Sequence, residues 1–162
     1  MSNERAALHK TFRAMGIRLL ITSSLLLAAF VMGCAGGTAT PPELVADRSS
    51  CHKCQMLISD TRYAAAINDG EIRTFDDIGC MLSAITSMKQ EPANVWVRDF
   101  NKNTWLDARK ASYVFAAKLG TPMNYGFVAV VSRTEAQSLA TRVAGQPIDS
   151  WGQLRQQFKE RR

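Results

Sequence analysis

The pattern of apolar and polar residues divides the chain into three parts. Residues 19–32 are almost continuously apolar. Residues 35–49 show no periodicity and contain paired Gly and paired Pro, which is typical of a flexible tether. From about residue 50 onward, the spacing of apolar residues has the periods of strands and helices. We therefore expect one folded domain of about 110 residues, which is long enough for a single compact core.

The first half of this domain predicts two strands, a helix and a third strand. Segments 63–68 and 71–75 are separated by an Asp-Gly dipeptide, which favours a tight turn, so we expect a β-hairpin. A helix follows, capped by Asp76-Asp77 and extending to about residue 88, because its apolar positions recur at helical spacing. A strand is expected at 94–100. This first ββαβ unit covers about residues 50–100.

The second half, over about residues 101–150, nearly repeats the first, and a terminal helix follows it. The expected elements are strands at 104–107 and 112–117, a loop at 120–126 bounded by glycines, a strand at 127–132, a helix at 134–143, a short strand at 147–148 and a helix capped by Ser150. The predicted fold class is α+β, with short antiparallel sheets and helices packed against them.

The first 33 residues have the order of a signal peptide, a basic segment followed by the apolar run. The run has about 14 residues, fewer than the roughly 20 of a membrane-spanning helix. It ends in Val31-Met32-Gly33-Cys34, which resembles a lipobox, in which the cysteine is acylated and becomes the new N-terminus. An uncleaved anchor helix and an ordinary cleaved signal are the alternatives. All three place the domain outside the cytoplasm.

If Cys34 is lipidated, the protein is anchored to a membrane and faces the periplasm or the cell exterior. Ala35 gives no Asp-type signal for retention in the inner membrane, so we expect the outer membrane in a Gram-negative cell. A tether of 15 residues, at about 3.3 Å per residue, would allow the domain to reach up to about 50 Å from the lipid.

Charge gives no indication of nucleic-acid binding. The chain has 20 Lys and Arg against 14 Asp and Glu, and four of these basic residues but one acidic residue precede Cys34. The net charge from Cys34 onward is therefore +3, and its basic residues are scattered until the last few positions. We expect no nucleic-acid partner.

Soft donors are concentrated in the segment Cys51-His52-Lys53-Cys54-Gln55-Met56. Thiolate and thioether ligands together select Cu(I), whereas zinc seldom uses a thioether. The Cys-x-x-Cys spacing alone also fits a structural disulfide or a redox pair. A c-type haem is excluded because Gln55, and not a histidine, follows the second cysteine.

Two further sulfur residues are candidates. Cys80 is expected in the first turn of the helix after Asp76-Asp77, where backbone N–H groups favour thiolate while the two aspartates oppose it. Cys80 could equally be a core residue. Met123 lies in the loop at 120–126 and could present its sulfur outward or fill a gap in the core.

Four motifs of this domain together resemble the NosL family. They are Cys54-Gln55-Met56, Arg62-Tyr63-Ala64-Ala65, Phe75-Asp76-Asp77-Ile78-Gly79-Cys80-Met81, and Pro122-Met123 before a Phe-Val-Ala strand. They occur in the family's order over about residues 48–145. The family often has Gly at the position of Gln55.

The NosL family comprises lipoprotein copper chaperones named for the maturation of nitrous-oxide reductase. The resemblance implies a protein that is not an enzyme, that binds Cu(I) and delivers it outside the cytoplasm, and that has two ββαβ units similar to the organomercurial lyase MerB. The family positions associated with copper fall on Cys54, Met56 and Met123. The chemistry of this chain adds His52, Cys51 and Cys80 as candidate ligands.

The expected partners are a copper-accepting enzyme, either nitrous-oxide reductase or another cuproenzyme such as an oxidase, and a copper-exporting ATPase as a candidate donor. Two other functions stay open. The first is an enzyme, either MerB-like or a thiol-disulfide exchanger, that uses Cys51, Cys54 and Cys80. The second is a structural lipoprotein in which Cys51 and Cys54 form a disulfide.

Overall fold

Two small antiparallel sheets and three helices make up the described part of the chain. The computed structural model describes residues 39–161, so the predicted signal peptide, Cys34 and the first residues of the predicted tether lie outside the described residues. Within 39–161, no helix is long and apolar enough to cross a membrane.

The order of elements agrees with the sequence pattern throughout. After a 3-10 turn at Thr61–Tyr63, the elements are β1 (Ala65–Asn68), β2 (Ile72–Phe75), α1 (Ile78–Thr86), β3 (Asn94–Arg98), β4 (Trp105–Asp107), β5 (Ser112–Phe115), β6 (Phe127–Val130), α2 (Arg133–Arg142), β7 (Gln146–Ile148) and α3 (Trp151–Glu160). The predicted hairpin is confirmed, with β1 beginning two residues later than expected because the 3-10 turn occupies residue 63.

The two sheets repeat one connectivity, as the α+β prediction of two ββαβ units requires. Their strand orders are β2-β1-β3-β4 and β6-β5-β7, so in each unit the first strand is central, flanked by its hairpin partner and by the strand after the helix. The expected start of the second unit near residue 101 needs correction. β4 pairs with β3 and extends the first sheet, and the second unit begins with β5.

Side-chain caps define where the three helices begin. Asp77, Ser132 and Ser150 are the N-caps, and each accepts a hydrogen bond from a backbone N–H of the first helical turn. α1 ends at Thr86, two residues before the predicted end. The N–H groups of Ser87 and Met88 donate to carbonyls three residues back, which converts the last turn to 3-10 geometry.

A buried carboxylate joins the two sheets. Asp99 is fully buried at the end of β3, and its Oδ1 accepts from the N–H groups of Asn101 and Lys102 at 2.8 and 2.9 Å. Its Oδ2 accepts from the N–H of Val131 at 3.1 Å, just beyond β6. The sheets are therefore fixed to each other at one end.

The segment before Cys51 is attached to the domain. Trp105 Nε1 donates to the carbonyl of Pro42 at 2.9 Å, and the N–H of Asp47 donates to the carbonyl of Ile58 at 3.0 Å. The chain is thus in contact with the domain from about Pro42, earlier than the boundary at residue 49 that its composition predicts.

Glu91 ties the terminal helix α3 to the loop before β3. Its Oε1 accepts from Trp151 Nε1 at 3.1 Å and its Oε2 accepts from Arg155 Nη1 at 2.9 Å. The hydrogen bond from Trp151, assisted by Arg155 and Arg109, lowers the pKa of Glu91 below its ordinary value.

This lowered pKa gives a pH-dependent contribution to stability. Because folding favours the ionised form, the contribution is present above the unfolded-state pKa and is lost as the pH falls through the folded-state pKa. We expect Glu91→Gln to reduce the free energy of unfolding by about 0.5–1 kcal/mol at pH 7, a magnitude limited by solvent screening. Denaturant titrations at several pH values measure it, with the exposed Glu71→Gln as control. If Glu91→Gln lowers the free energy of unfolding as much at acid pH as at pH 7, this account is wrong.

Candidate metal centre

The loop from Cys51 to Met56 is closed on itself by backbone hydrogen bonds. The N–H of Cys51 donates to the carbonyl of Met56 at 2.8 Å, and the N–H of Gln55 donates to the carbonyl of Cys51 at 2.9 Å. The N–H of His52 donates to the carbonyl of Thr74, which docks the loop onto β2. The soft donors identified in the sequence are therefore held on a fixed turn and not on a free tether.

Gln55 has the left-handed backbone conformation, with φ of 64°. A residue with a Cβ pays for this conformation sterically, whereas Gly does not. The Gln55 side chain compensates in part, because its Nε2 donates to the carbonyl of His52 at 2.8 Å. A glycine at this position would adopt the conformation without that cost.

Three thiols and a carboxylate meet between this loop and the start of α1. One ligand atom from each residue lies within 4.8 Å of the others in the set Cys51, Cys54, Asp76 and Cys80. Three of these residues are buried: Cys51 is 0 %, Cys80 is 1 % and Asp76 is 2 % exposed. Cys54 is partly exposed and lies on the solvent side of the group. All three thiols are free.

Hydrogen bonds give the three thiols different acidities. The hydrogen bond from Cys80 lowers the pKa of Cys51 to about 6, against the opposing effect of burial. Donating that bond raises the pKa of Cys80. Burial raises the pKa of Cys54 to about 11, and its Sγ donates to Asp76 Oδ2 at 3.5 Å. The sequence left the acidity of Cys80 open, because the helix start favours thiolate and the two aspartates oppose it. In the structure, thiolate is favoured at Cys51, whereas its hydrogen bond with Cys51 and its burial raise the pKa of Cys80.

Asp76 was missed as a site residue by the sequence analysis, which treated both aspartates as helix caps. Only Asp77 caps α1. The side chain of Asp76 lies next to the three thiols, and its Oδ1 is buried without a hydrogen-bond partner. Two consecutive aspartates at a helix start were a usable signal, since a helix has only one N-cap position.

Asp77 connects α1 to the loop that carries Met123. Its Oδ1 accepts from the N–H of Gly79 at 2.7 Å. Its Oδ2 accepts from Thr121 Oγ1 at 2.7 Å and from the N–H of Met123 at 3.1 Å. Burial raises the pKa of Asp77, and the bond from Thr121 is the largest effect opposing this rise. The backbone position of Met123 is thus set by the residue next to Asp76.

Gly79 lets the loop that carries Met123 pack closely against α1. A Cβ at this position would overlap the ring of Tyr125, so only glycine lets the ring lie against the first turn of the helix. The loop therefore has two attachments to α1, one through hydrogen bonds and one through packing.

An open cleft lies beside the thiol group. Asp76 lies along it, with Met56 and Pro122 among the other lining residues. Met56 is 46 % and Met123 is 37 % exposed, so neither thioether is a core residue. The alternative that Met123 fills the core is therefore wrong, whereas Met81 is fully buried in the core.

The structure brings together three of the six candidate ligands, namely Cys51, Cys54 and Cys80. Met56 and Met123 lie at the surface. His52 is exposed, and its ring meets Phe75 edge-on with centroids 6.2 Å apart. It lies outside the four-residue group. Thiols of this kind, close together and unpaired, can bind a soft or borderline metal ion.

Comparisons with known proteins agree on one family. The family model described as NosL matches residues 42–157. The chain is similar in structure to a protein described as the copper chaperone NosL from Shewanella denitrificans, with a TM-score of 0.59 and 15 % sequence identity. The match covers 68 % of this chain and 93 % of that chain, and it confirms the predicted fold. No curated protein matched the sequence.

The left-handed conformation of Gln55 predicts which substitutions the loop accepts. Gln55→Gly should leave the free energy of unfolding within about 1 kcal/mol of the wild type, because the steric relief offsets the lost hydrogen bond and the added chain entropy. Gln55→Val should lose about 1–2 kcal/mol, because a β-branched residue fits this conformation poorly. Denaturant unfolding under reducing conditions measures both. Lys53→Val in the same loop is the control, and equal losses at the two positions would contradict the argument.

The close contact between Gly79 and the Tyr125 ring predicts that a larger residue at position 79 lowers stability. Gly79→Ala must displace the Tyr125 ring, and such overpacking typically costs about 1–3 kcal/mol of stability. Gly152→Ala is the matched control, since a Cβ there has no neighbour nearer than Ser150 Oγ at 4.0 Å. We expect this control to be neutral or slightly stabilising. Thermal unfolding of the two variants tests the difference, and a neutral Gly79→Ala would refute the proposed contact.

Proposed function

Because the chain belongs to the NosL family, we propose that it is a copper-binding chaperone, which carries Cu(I) to a copper-accepting enzyme and changes no covalent bond in a substrate. The structural neighbour described as a copper chaperone supports this proposal. The observation that carries it is a group of free thiols beside an open cleft with the exposed thioether of Met56 at its surface.

Sulfur ligands explain the choice of ion. Thiolates and thioethers are soft donors and favour Cu(I), and an arrangement with few hard ligands holds harder divalent ions less well. We assign the delivery position to Cys54 with the thioethers of Met56 and Met123. His52, Cys51 and Cys80 are assisting candidates.

Exposure of these side chains supports release to a partner. Cys54 is only partly buried, and the two thioethers are accessible. An ion held there by few ligands can be attacked by ligands of an acceptor, so copper moves by stepwise ligand exchange and stays Cu(I). Cys54 is the natural last contact, because it is the one cysteine of the group that solvent reaches.

Location and partners belong to the same proposal. Lipidation of Cys34 would hold the carrier at a membrane surface outside the cytoplasm, where a copper-exporting ATPase releases ions. Confinement to that surface raises the effective concentration of carrier and donor. The acceptor we propose is nitrous-oxide reductase, with another cuproenzyme as the alternative.

Two rival functions are less well supported. A structural disulfide between Cys51 and Cys54 is at odds with the free thiols of the described residues. A MerB-like or thiol-exchange enzyme would use the same cysteines, but the matched family and the function of the structural neighbour both favour a carrier. The exposed methionines also have no role in thiol exchange.

An anaerobic titration against a Cu(I)-selective competition probe tests the proposal. Cys54→Ala should weaken Cu(I) binding by at least about tenfold, since it removes a ligand outright. Met123→Leu should slow the passage of Cu(I) to the probe severalfold, because it removes an exposed thioether without changing the side-chain volume much.

Met88→Leu is the matched control, because Met88 lies beyond the opposite end of α1. It should change neither quantity. If Cys54→Ala and Met123→Leu both leave affinity and transfer rate at wild-type values, the assigned delivery position is wrong.

A further inference from the structure

We propose that Cys51, Cys54 and Cys80 form an inner three-sulfur site in which Cu(I) is held, distinct from the exposed delivery position and sharing Cys54 with it. This inference rests on the proposed copper function and deepens it. Cys51 and Cys80 are not among the positions that the NosL resemblance associates with copper.

Geometry is the first support. A metal–thiolate bond is about 2.3 Å long, so three sulfurs around an ion in a trigonal plane lie about 4 Å apart. The ligand atoms of the group already lie within 4.8 Å of one another. A small inward movement of the side chains would therefore complete the site, without rearrangement of the fold.

The second support is the rigidity of the elements that carry the sulfurs. Cys80 lies in the first turn of α1, whose start is fixed by the Asp77 cap. Cys51 is held by its backbone bond to Met56, and the loop is docked on β2. A site presented by fixed elements loses little conformational entropy when it binds an ion.

A third and independent support is the orphaned oxygen of Asp76. This residue is 2 % exposed, and its Oδ1 has no hydrogen-bond partner. Burying a polar atom without a hydrogen-bond partner costs free energy, so this oxygen indicates that another group binds beside it. An ion among the three sulfurs would lie beside this oxygen. Carboxylate is a hard donor, so Asp76 would not itself bind the Cu(I).

Burial separates the roles of the two positions. Cys51 and Cys80 are shielded from solvent, so ligands of other molecules cannot reach an ion on them. Cys54 belongs to both positions, and the ion can pass outward by exchanging the two buried sulfurs for exposed thioethers. On loading, the ligating sulfurs release to the solvent whatever protons they carry, and the copper stays Cu(I) throughout.

The test uses the full-length protein, kept reduced and without oxygen, in competition titrations with a Cu(I) probe. Cys51→Ser and Cys80→Ser should each weaken Cu(I) binding by at least about tenfold. The double variant Met56→Leu with Met123→Leu should slow the transfer of Cu(I) to the probe severalfold, but it should lose less affinity than either cysteine variant, because the inner site is intact. Ser83→Ala, also buried on α1, is the control for a change in that helix.

X-ray absorption at the copper edge gives a second measurement that needs no cysteine substitution. The wild type and the double methionine variant should both show three sulfur neighbours around Cu(I). Thermal unfolding of each variant without copper separates a lost ligand from a lost fold.

Each result is decisive. If the wild type binds no Cu(I), the copper function itself fails. If the wild type binds Cu(I), but the methionine variant loses it and both cysteine variants keep it, the inner site is refuted and the carrier function stands. If zinc at equal concentration displaces Cu(I) from the wild type but not from Asp76→Asn, the pocket is a Cys₃Asp zinc site and the inference is wrong.

Discussion

The hydrogen bonds of the buried Asp77 carboxylate hold the candidate site together. One oxygen caps α1 and so fixes the turn that carries Cys80. The other holds Thr121 and the N–H of Met123, which belong to the second unit. These bonds connect two sequence segments more than 40 residues apart. The positions of the turn that carries Cys80 and of the loop that carries Met123 both depend on this side chain.

Asp76 and Asp77 are adjacent and have identical side chains, but they have different roles. Both oxygens of Asp77 accept hydrogen bonds from donors of the fold, whereas Asp76 accepts one from a thiol and has one buried oxygen unpaired. A protein interior normally satisfies its polar groups, so the contrast between the two marks Asp76 as the residue whose partner is not part of the chain. Structural and chemical roles are thus only one position apart.

Local patterns predicted the fold well, since hairpin turns, helix caps and apolar spacing act over a few residues. The same local patterns did not predict which distant segments pair. β4 has the composition of any short strand, and its pairing with β3 is decided by tertiary contacts. In the site, the sulfur residue types identified Cys51, Cys54 and Cys80 as candidates, but the sequence could not show that a helix cysteine meets the loop cysteines. It also named His52, whose exposed side chain lies outside this group.

A copper carrier must satisfy two opposing requirements, because an ion held by many buried ligands is safe but leaves slowly. One set of ligands cannot satisfy both. Under the proposed function, the two cysteines in the core would retain the ion and the two methionines at the surface would take part in its release, with Cys54 contributing to both steps. Each exchange replaces one soft sulfur with another, so no intermediate exposes the ion without ligands. Under this proposal, retention and delivery would both depend on the partly exposed Cys54 thiol.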